Sequence, residues 1–145
     1  MIIGMKILKD TYSQIMSNYD SVPPECGGII GGKNEMISTY YHDITPGCIT
    51  KAIYEPNAEQ LNIVIHEWNE IGISFYGMLH SHPDHETTLS NGDIAYIKKM
   101  FSSLPNGSKL YFPIVLPKQT IIPYLVKFND GHITILQEKL EICSR

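Results

Sequence analysis

The chain has no apolar run approaching the roughly 20 residues that span a bilayer, so no transmembrane helix is expected. Positive charge is also sparse. Its 11 Lys and Arg are scattered, only Lys98 and Lys99 adjoin, and the net charge is −4. A general nucleic-acid binder, which needs a basic patch to meet phosphates, is therefore excluded. There are 3 cysteines, far apart and free of C-x-x-C spacing. That supply argues against a disulfide framework and fits reduced thiols in the cytosol. Cys26 is expected to be a small buried hydrophobe. The opening Met1-Ile2-Ile3-Gly4-Met5 is too short for a signal-peptide core and soon meets Lys6 and Lys9, so a cytoplasmic location is the expectation. Repeats, low-complexity stretches and linkers are missing, as are a phosphate loop, a nucleotide fingerprint and a serine nucleophile elbow. A length of 145 residues suits a single domain with its own core, residues 1–145.

What is present reads as alternating helical and strand patterns. Ile7, Leu8, Tyr12, Ile15 and Met16 form a helical stripe across residues 6–18, and Gly27 to Gly32 reads as a buried glycine-rich strand. Residues 35–44 alternate as a strand. Asn57 then caps a helix whose Leu61, Val64, Ile65 and Trp68 fall at i, i+3, i+4 and i+7. A strand over 72–82 follows. The next helix opens at Ser90, carries Ile94, Ile97, Phe101 and Leu104 on one face, and stops before Pro105-Asn106-Gly107. Strands are expected at 109–116, 120–128 and 132–139, with Asn129-Asp130-Gly131 turning the last pair as a hairpin. The mixture points to an α/β (mixed α+β) fold, a curved sheet flanked by helices.

The segment from His80 to Asp93 carries the chemistry. It reads H-S-H-P-D-H-E-T-T-L-S-N-G-D, that is His80-x-His82, seven residues, then Ser90-x-x-Asp93. On a strand, alternate side chains share a face, so His80 and His82 project together. A helix starting at Ser90 puts Asp93 on its first turn, from which the carboxylate can return to the imidazoles. Two imidazoles, one carboxylate and a vacant fourth position describe a catalytic zinc site. With six His, eleven Ser and six Asp in the chain, chance produces this pattern in roughly one such chain per thousand. The plainer reading of Ser90-x-x-Asp93 is a helix-capping signal, and the two readings are compatible.

This spacing resembles the JAMM metalloprotease family, also called MPN-plus, whose signature is an upstream Glu followed by His-x-His-x7-Ser-x2-Asp. Pro24-Glu25-Cys26-Gly27-Gly28-Ile29-Ile30-Gly31 is similar to the segment bearing the family's catalytic Glu. Tyr54-Glu55-Pro56 and Gly77-Met78-Leu79 also resemble the family. The resemblance covers nearly the whole chain and implies a minimal, prokaryote-like member with the cytidine-deaminase-like architecture. It implies one zinc per chain, held by His80, His82 and Asp93, with Glu25 as proton carrier. It also implies hydrolysis of a peptide or isopeptide bond after the C-terminal tail of a ubiquitin-like or sulfur-carrier β-grasp protein. Ser90 is expected to donate a hydrogen bond to the developing oxyanion.

Three other readings compete. His66-Glu67-Trp68-Asn69-Glu70 starts like the zincin H-E-x-x-H, but Glu70 stands where the second His belongs. His80-Ser81-His82-Pro83-Asp84-His85 matches the H-x-H-x-D-H pattern of metallo-β-lactamase-like hydrolases, yet His132 is the sole histidine after His85. Asp84 and His85 are accordingly expected in a loop flanking the metal. A non-catalytic MPN-type scaffold would have no use for Glu25, both histidines, Ser90 and Asp93 together.

Overall fold

The computed structural model describes residues 4–19, 26–43, 56–82 and 86–144. A ten-stranded mixed sheet runs through it. In chain order the elements are β1 (Gly4–Leu8), α1 (Lys9–Asn18), β2 (Gly27–Lys33), β3 (Met36–His42), α2 (Ala58–Glu70), β4 (Ser74–Ser81), α3 (Asn91–Phe101), β5 (Lys109–Tyr111), β6 (Ile114–Leu116), β7 (Thr120–Ile122), β8 (Tyr124–Asn129), β9 (His132–Gln137) and β10 (Lys139–Cys143). The strand order is β10-β1-β3-β2-β4-β5-β8-β9, and β6 adds beside β4 and carries β7. This is the mixed α+β fold that the patterns predict. Among the described residues, no helix is long and apolar enough to cross a membrane.

Alternation along the central strands divides the core between the two faces of the sheet. Ile30 and Leu79 join Met5, Ile7 and the α1 residue Ile15 in one cluster. Their neighbours Ile29 and Met78 join Leu61, Val64 and Trp68 of α2, and Ile97 and Phe101 of α3, in the other. Each large apolar side chain buried this way contributes roughly 1.5–3 kcal/mol. Helix α2 begins as expected, with the Asn57 side chain accepting the Gln60 N–H at 3.2 Å. Its Trp68 lies so close to β2 that a Cβ on Gly31 would come within 2.7 Å of the indole ring. Glycine in β2 therefore sets how tightly α2 can approach the sheet.

Several strand boundaries differ from the sequence patterns. Residues 6–8, expected in the first helix, lie in β1, where Met5 and Ile7 are buried and Lys6 is exposed. That strand is paired in parallel with β10 on one side and β3 on the other. These partners lie far off in the chain, and their hydrogen bonds override the local helical stripe. Two expected strands are each split in two, the third ends at Gln137, and β10 (Lys139–Cys143) is a strand that the patterns do not predict. Pro113 divides β5 from β6 and Pro123 divides β7 from β8, because proline has no N–H to give the ladder. Glu138 separates β9 from β10, and its N–H goes to Pro123 O at 3.0 Å. The hairpin turn is as expected: Asp130 and Gly131 have φ of 52° and 79°, the two positive values of a type I′ turn.

Strand β4 is central because it carries His80 and ends at Ser81, immediately before His82. It pairs antiparallel with β2 and parallel with β5 and β6. Tyr76 is the extra residue of a bulge, since Ile30 faces Gly77 while Gly31 faces Phe75. Gly77 sits at φ 153°, and a Cβ there would collide with the Tyr111 carbonyl. Gly77→Ala should therefore cost about 3 kcal/mol of stability or more, read as the shift in urea-unfolding free energy. A loss below about 1 kcal/mol, the size of an ordinary surface change, would show that the β4–β5 contact relaxes to admit a methyl group.

Candidate metal centre

The end of β4 is held from both sides. The His80 N–H points to Pro113 O at 3.4 Å, and the His82 N–H donates to Val115 O at 3.1 Å. The proline that splits the β5–β6 segment thus serves the site with its carbonyl. On the other side, the Ser81 N–H donates to Cys26 O at 2.8 Å, and the Cys26 N–H donates to Ser81 Oγ at 3.0 Å. Ser81 is 1% exposed and His82 2%. With both neighbours pinned, the two imidazoles lie edge to face, ring centroids 4.6 Å apart.

Asp93 reaches them from the first turn of α3. Ser90 is the N-cap, and its Oγ accepts the Asp93 N–H at 3.0 Å. In return, Asp93 Oδ2 accepts the Ser90 N–H at 2.9 Å, which completes a capping box. The same carboxylate places Oδ1 3.1 Å from His80 Nε2 and Oδ2 3.1 Å from His82 Nε2. Capping and site-building are one arrangement here. Burial works against the charge on Asp93. While the imidazole Nε2 atoms carry protons, hydrogen bonds from His80 and His82, the charge of His80 and the Ser90 N–H outweigh it and hold the carboxyl well below the usual range.

The proton positions on His82 follow from its partners. Its Nδ1 is 3.0 Å from Glu86 O, a carbonyl that can only accept, so Nδ1 carries the hydrogen. In the neutral ring the Nε2 lone pair then faces Asp93 Oδ2 at 3.1 Å and His80 Nε2 at 2.8 Å. Lone pairs and a carboxylate meeting at such distances repel unless a cation lies among them. One proton relieves one contact, whereas a divalent cation satisfies all three donors. Donors about 2.0–2.1 Å from a tetrahedral zinc stand about 3.3 Å apart, slightly wider than the 2.8–3.1 Å separations of this cluster. The nitrogen-and-oxygen donor set also suits zinc. Among the described residues, His80, His82 and Asp93 form the group able to hold a metal ion, and they fit one. The hydrogen bond from His82 Nδ1 to a backbone carbonyl is the usual outer support of a metal-bound histidine.

Residues 9–123 match the family of prokaryotic homologs of the JAB domain. The chain belongs to this prokaryotic JAB family. Solved structures share its fold at low sequence identity. A protein from Desulfitobacterium hafniense, known in solution, is 17% identical with a TM-score of 0.57, over 97% of this chain and 94% of that one. A crystal structure of a JAB1/MPN domain protein from Archaeoglobus fulgidus is 16% identical with a TM-score of 0.54, over 94% and 99%. A protein from Salinibacter ruber, also known in solution, is 17% identical with a TM-score of 0.56, over 96% and 92%. Among curated protein sequences, none matches the chain.

Within this JAB chain, the three expected ligands come together and Ser90 stands at the helix start beside them. Glu25 lies outside the described residues, as do Asp84 and His85. Glu25's neighbour Cys26 is half-buried and packs against the core cluster on the α1 side. His66 is on the polar face of α2, 73% exposed and paired with Glu70 at 3.1 Å, in keeping with a helix-surface residue. Sequence reasoning passed over Ser81, Glu86 and Tyr124. The signal for Ser81 was there: a residue between two histidines of one strand face must point to the other face. Glu86 acts through its backbone carbonyl, which no side-chain pattern reports. Tyr124 acts across 37 residues of chain, donating to Thr87 O at 2.7 Å.

Ser90→Ala separates capping from metal holding in this JAB centre. Loss of the side-chain cap should lower stability by about 1 kcal/mol. The Ser90 backbone N–H still holds Asp93, so metal content of the purified protein should be unchanged. Loss of metal from that variant would show that the hydroxyl itself, through the Asp93 N–H, sets the carboxylate's position.

Proposed function

We propose that this chain is a zinc-dependent peptidase or isopeptidase, cleaving the amide bond after the C-terminal tail of a ubiquitin-like or sulfur-carrier β-grasp protein. The observation that carries the reading is the convergence of His80, His82 and Asp93 through lone pairs and a carboxylate. Membership of the JAB family supports it. Zinc, when bound, would supply Lewis acidity: an open position polarises a carbonyl and makes water acidic enough to ionise near neutral pH.

The residues of the chain do the rest. His82, its Nδ1–H directed at Glu86 O, presents Nε2 in a single tautomer. Asp93 supplies negative charge, and its carboxylate accepts the Ser90 N–H, which favours the ionised form. Glu25 is assigned the proton, taking it from the attacking water and giving it to the leaving amine. The Ser90 hydroxyl accepts the Asp93 N–H and keeps its own hydrogen to donate to the carbonyl oxygen as charge develops. An extended tail of small residues suits the substrate role, because it can pair with a sheet edge while its scissile bond reaches the centre.

The roles separate by mutation. Glu25→Ala should keep metal and lose hydrolysis of a β-grasp fusion by about 10²–10⁴-fold, whereas Asp93→Ala should lose both. If metal and activity fell together in the Glu25 variant, Glu25 would be a ligand. If the wild-type protein bound zinc yet cleaved no such fusion, a scaffold role would replace the enzyme. The Asp84→Ala, His85→Ala double variant should keep about one zinc per chain and most of its activity. Loss of metal from it would favour the H-x-H-x-D-H hydrolase pattern instead.

A further inference from the structure

Residues 86–89 join β4 to α3 without belonging to helix or strand, yet they govern the geometry of the centre. At one end the Glu86 carbonyl meets His82 Nδ1 at 3.0 Å. At the other, Ser90 starts the helix that carries Asp93. Glu86, Thr87 and Thr88 are exposed, so burial of their side chains does not fix them. Two contacts tie the segment down from the far side. Leu89 packs against the small cluster of Ile114, Leu116 and Tyr124. The Tyr124 hydroxyl, from the first residue of β8, donates to Thr87 O at 2.7 Å.

We propose that Tyr124 is a positioning residue for the metal centre: its hydroxyl holds the Thr87 carbonyl, and thereby keeps Glu86 O against His82 and Ser90 where Asp93 can reach both imidazoles. The inference rests on the metal-binding reading of the preceding section. Tyr124 is 7% exposed, and a buried phenol without a partner is unfavourable, so ring and bond are locked together. The ring is rigid and seated among Ile114, Leu116, Ile122 and Ile135. Its hydroxyl is thus a fixed point to which a connecting segment is attached. Without that bond, among the described residues, the polar anchor left to residues 86–89 is the His82 contact itself. The histidine would then have to hold the loop, where now the loop holds the histidine. Ordering several backbone residues is entropically costly, and in the variant that ordering falls on the metal-binding step.

The test is zinc affinity, measured by competition with a chromophoric chelator and paralleled by the visible spectrum of the cobalt-loaded protein. Tyr124→Phe keeps the ring and should weaken zinc binding about tenfold or more, the lower range for losing an outer support of a metal ligand. Thr87→Ala should bind as the wild type does, because the acceptor is a backbone carbonyl. Tyr111→Phe is the control for losing a half-buried phenol bond as such. It removes the 2.7 Å bond to Glu138 and should lower stability without changing zinc affinity. Leu89→Ala loosens the other anchor of the segment and should weaken zinc binding in the same direction. That variant keeps the idea open to test should Tyr124→Phe not fold. Unchanged zinc affinity in a folded Tyr124→Phe or Leu89→Ala protein would overturn the proposal, as would an equal loss in Tyr111→Phe. Failure of the wild-type protein to bind zinc would overturn the metal centre itself, a separate and earlier result.

Discussion

Two imidazole nitrogens and a carboxylate brought within about 3 Å of one another make a cluster that repels itself unless a cation joins it. The rest of the molecule can be understood as the apparatus that enforces this crowding. Strand β4 is pinned by β2 on one side and by β6 on the other. The end that bears His80, Ser81 and His82 therefore has backbone bonds in both directions. Helix α3, packed on the face of the sheet that bears Met78, delivers Asp93, and its own N-terminal cap aims the carboxylate. Crowding of this kind is opposed by charge and desolvation. It persists because both strand and helix are anchored in buried clusters.

The capping box shows how one small motif can serve two levels of structure. Ser90 and Asp93 exchange hydrogen bonds that satisfy free N–H groups at the start of α3. The carboxylate that closes the box also faces both histidines. A helix start normally welcomes negative charge. Here the Ser90 backbone N–H at the helix start favours the ionised carboxylate, as proton-bearing imidazoles of His80 and His82 do, against the opposing effect of burial. Helix capping and site-building therefore share the Asp93 carboxylate, while the Ser90 hydroxyl belongs to the cap.

Supports of the centre are spread widely along the chain. Cys26 comes from the start of β2, Pro113 and Val115 from the region of β6, Glu86 from the β4–α3 connection, and Tyr124 from β8. The match to the prokaryotic JAB family ends at residue 123, one residue before Tyr124. The ligands thus lie within the matched region, while one anchor of their connecting segment lies just past it.

Much of the centre was legible in the sequence because its signals are local. His80 and His82 share a face by strand period, Asp93 is returned by helix geometry, and Ser90-x-x-Asp93 is a cap within a single turn. Each of these depends on residues a few positions apart. Helix α2, with its Asn57 cap and its Leu61, Val64 and Trp68 stripe, was legible for the same reason, as was the Asp130-Gly131 turn. What tertiary structure alone decided was every pairing between distant segments. Residues 6–8 form a strand because β10 and β3 flank them, although their apolar spacing equally suits a helix. The long strands break at Pro113 and Pro123 because proline gives the ladder no N–H, but which distant strands the halves pair with was not legible. Glu86 and Tyr124 took their places through a backbone carbonyl and a contact over 37 residues, neither of which leaves a periodic trace. Local spacing can name the atoms of a site, but the hydrogen bonds that hold those atoms in register come from elsewhere in the chain.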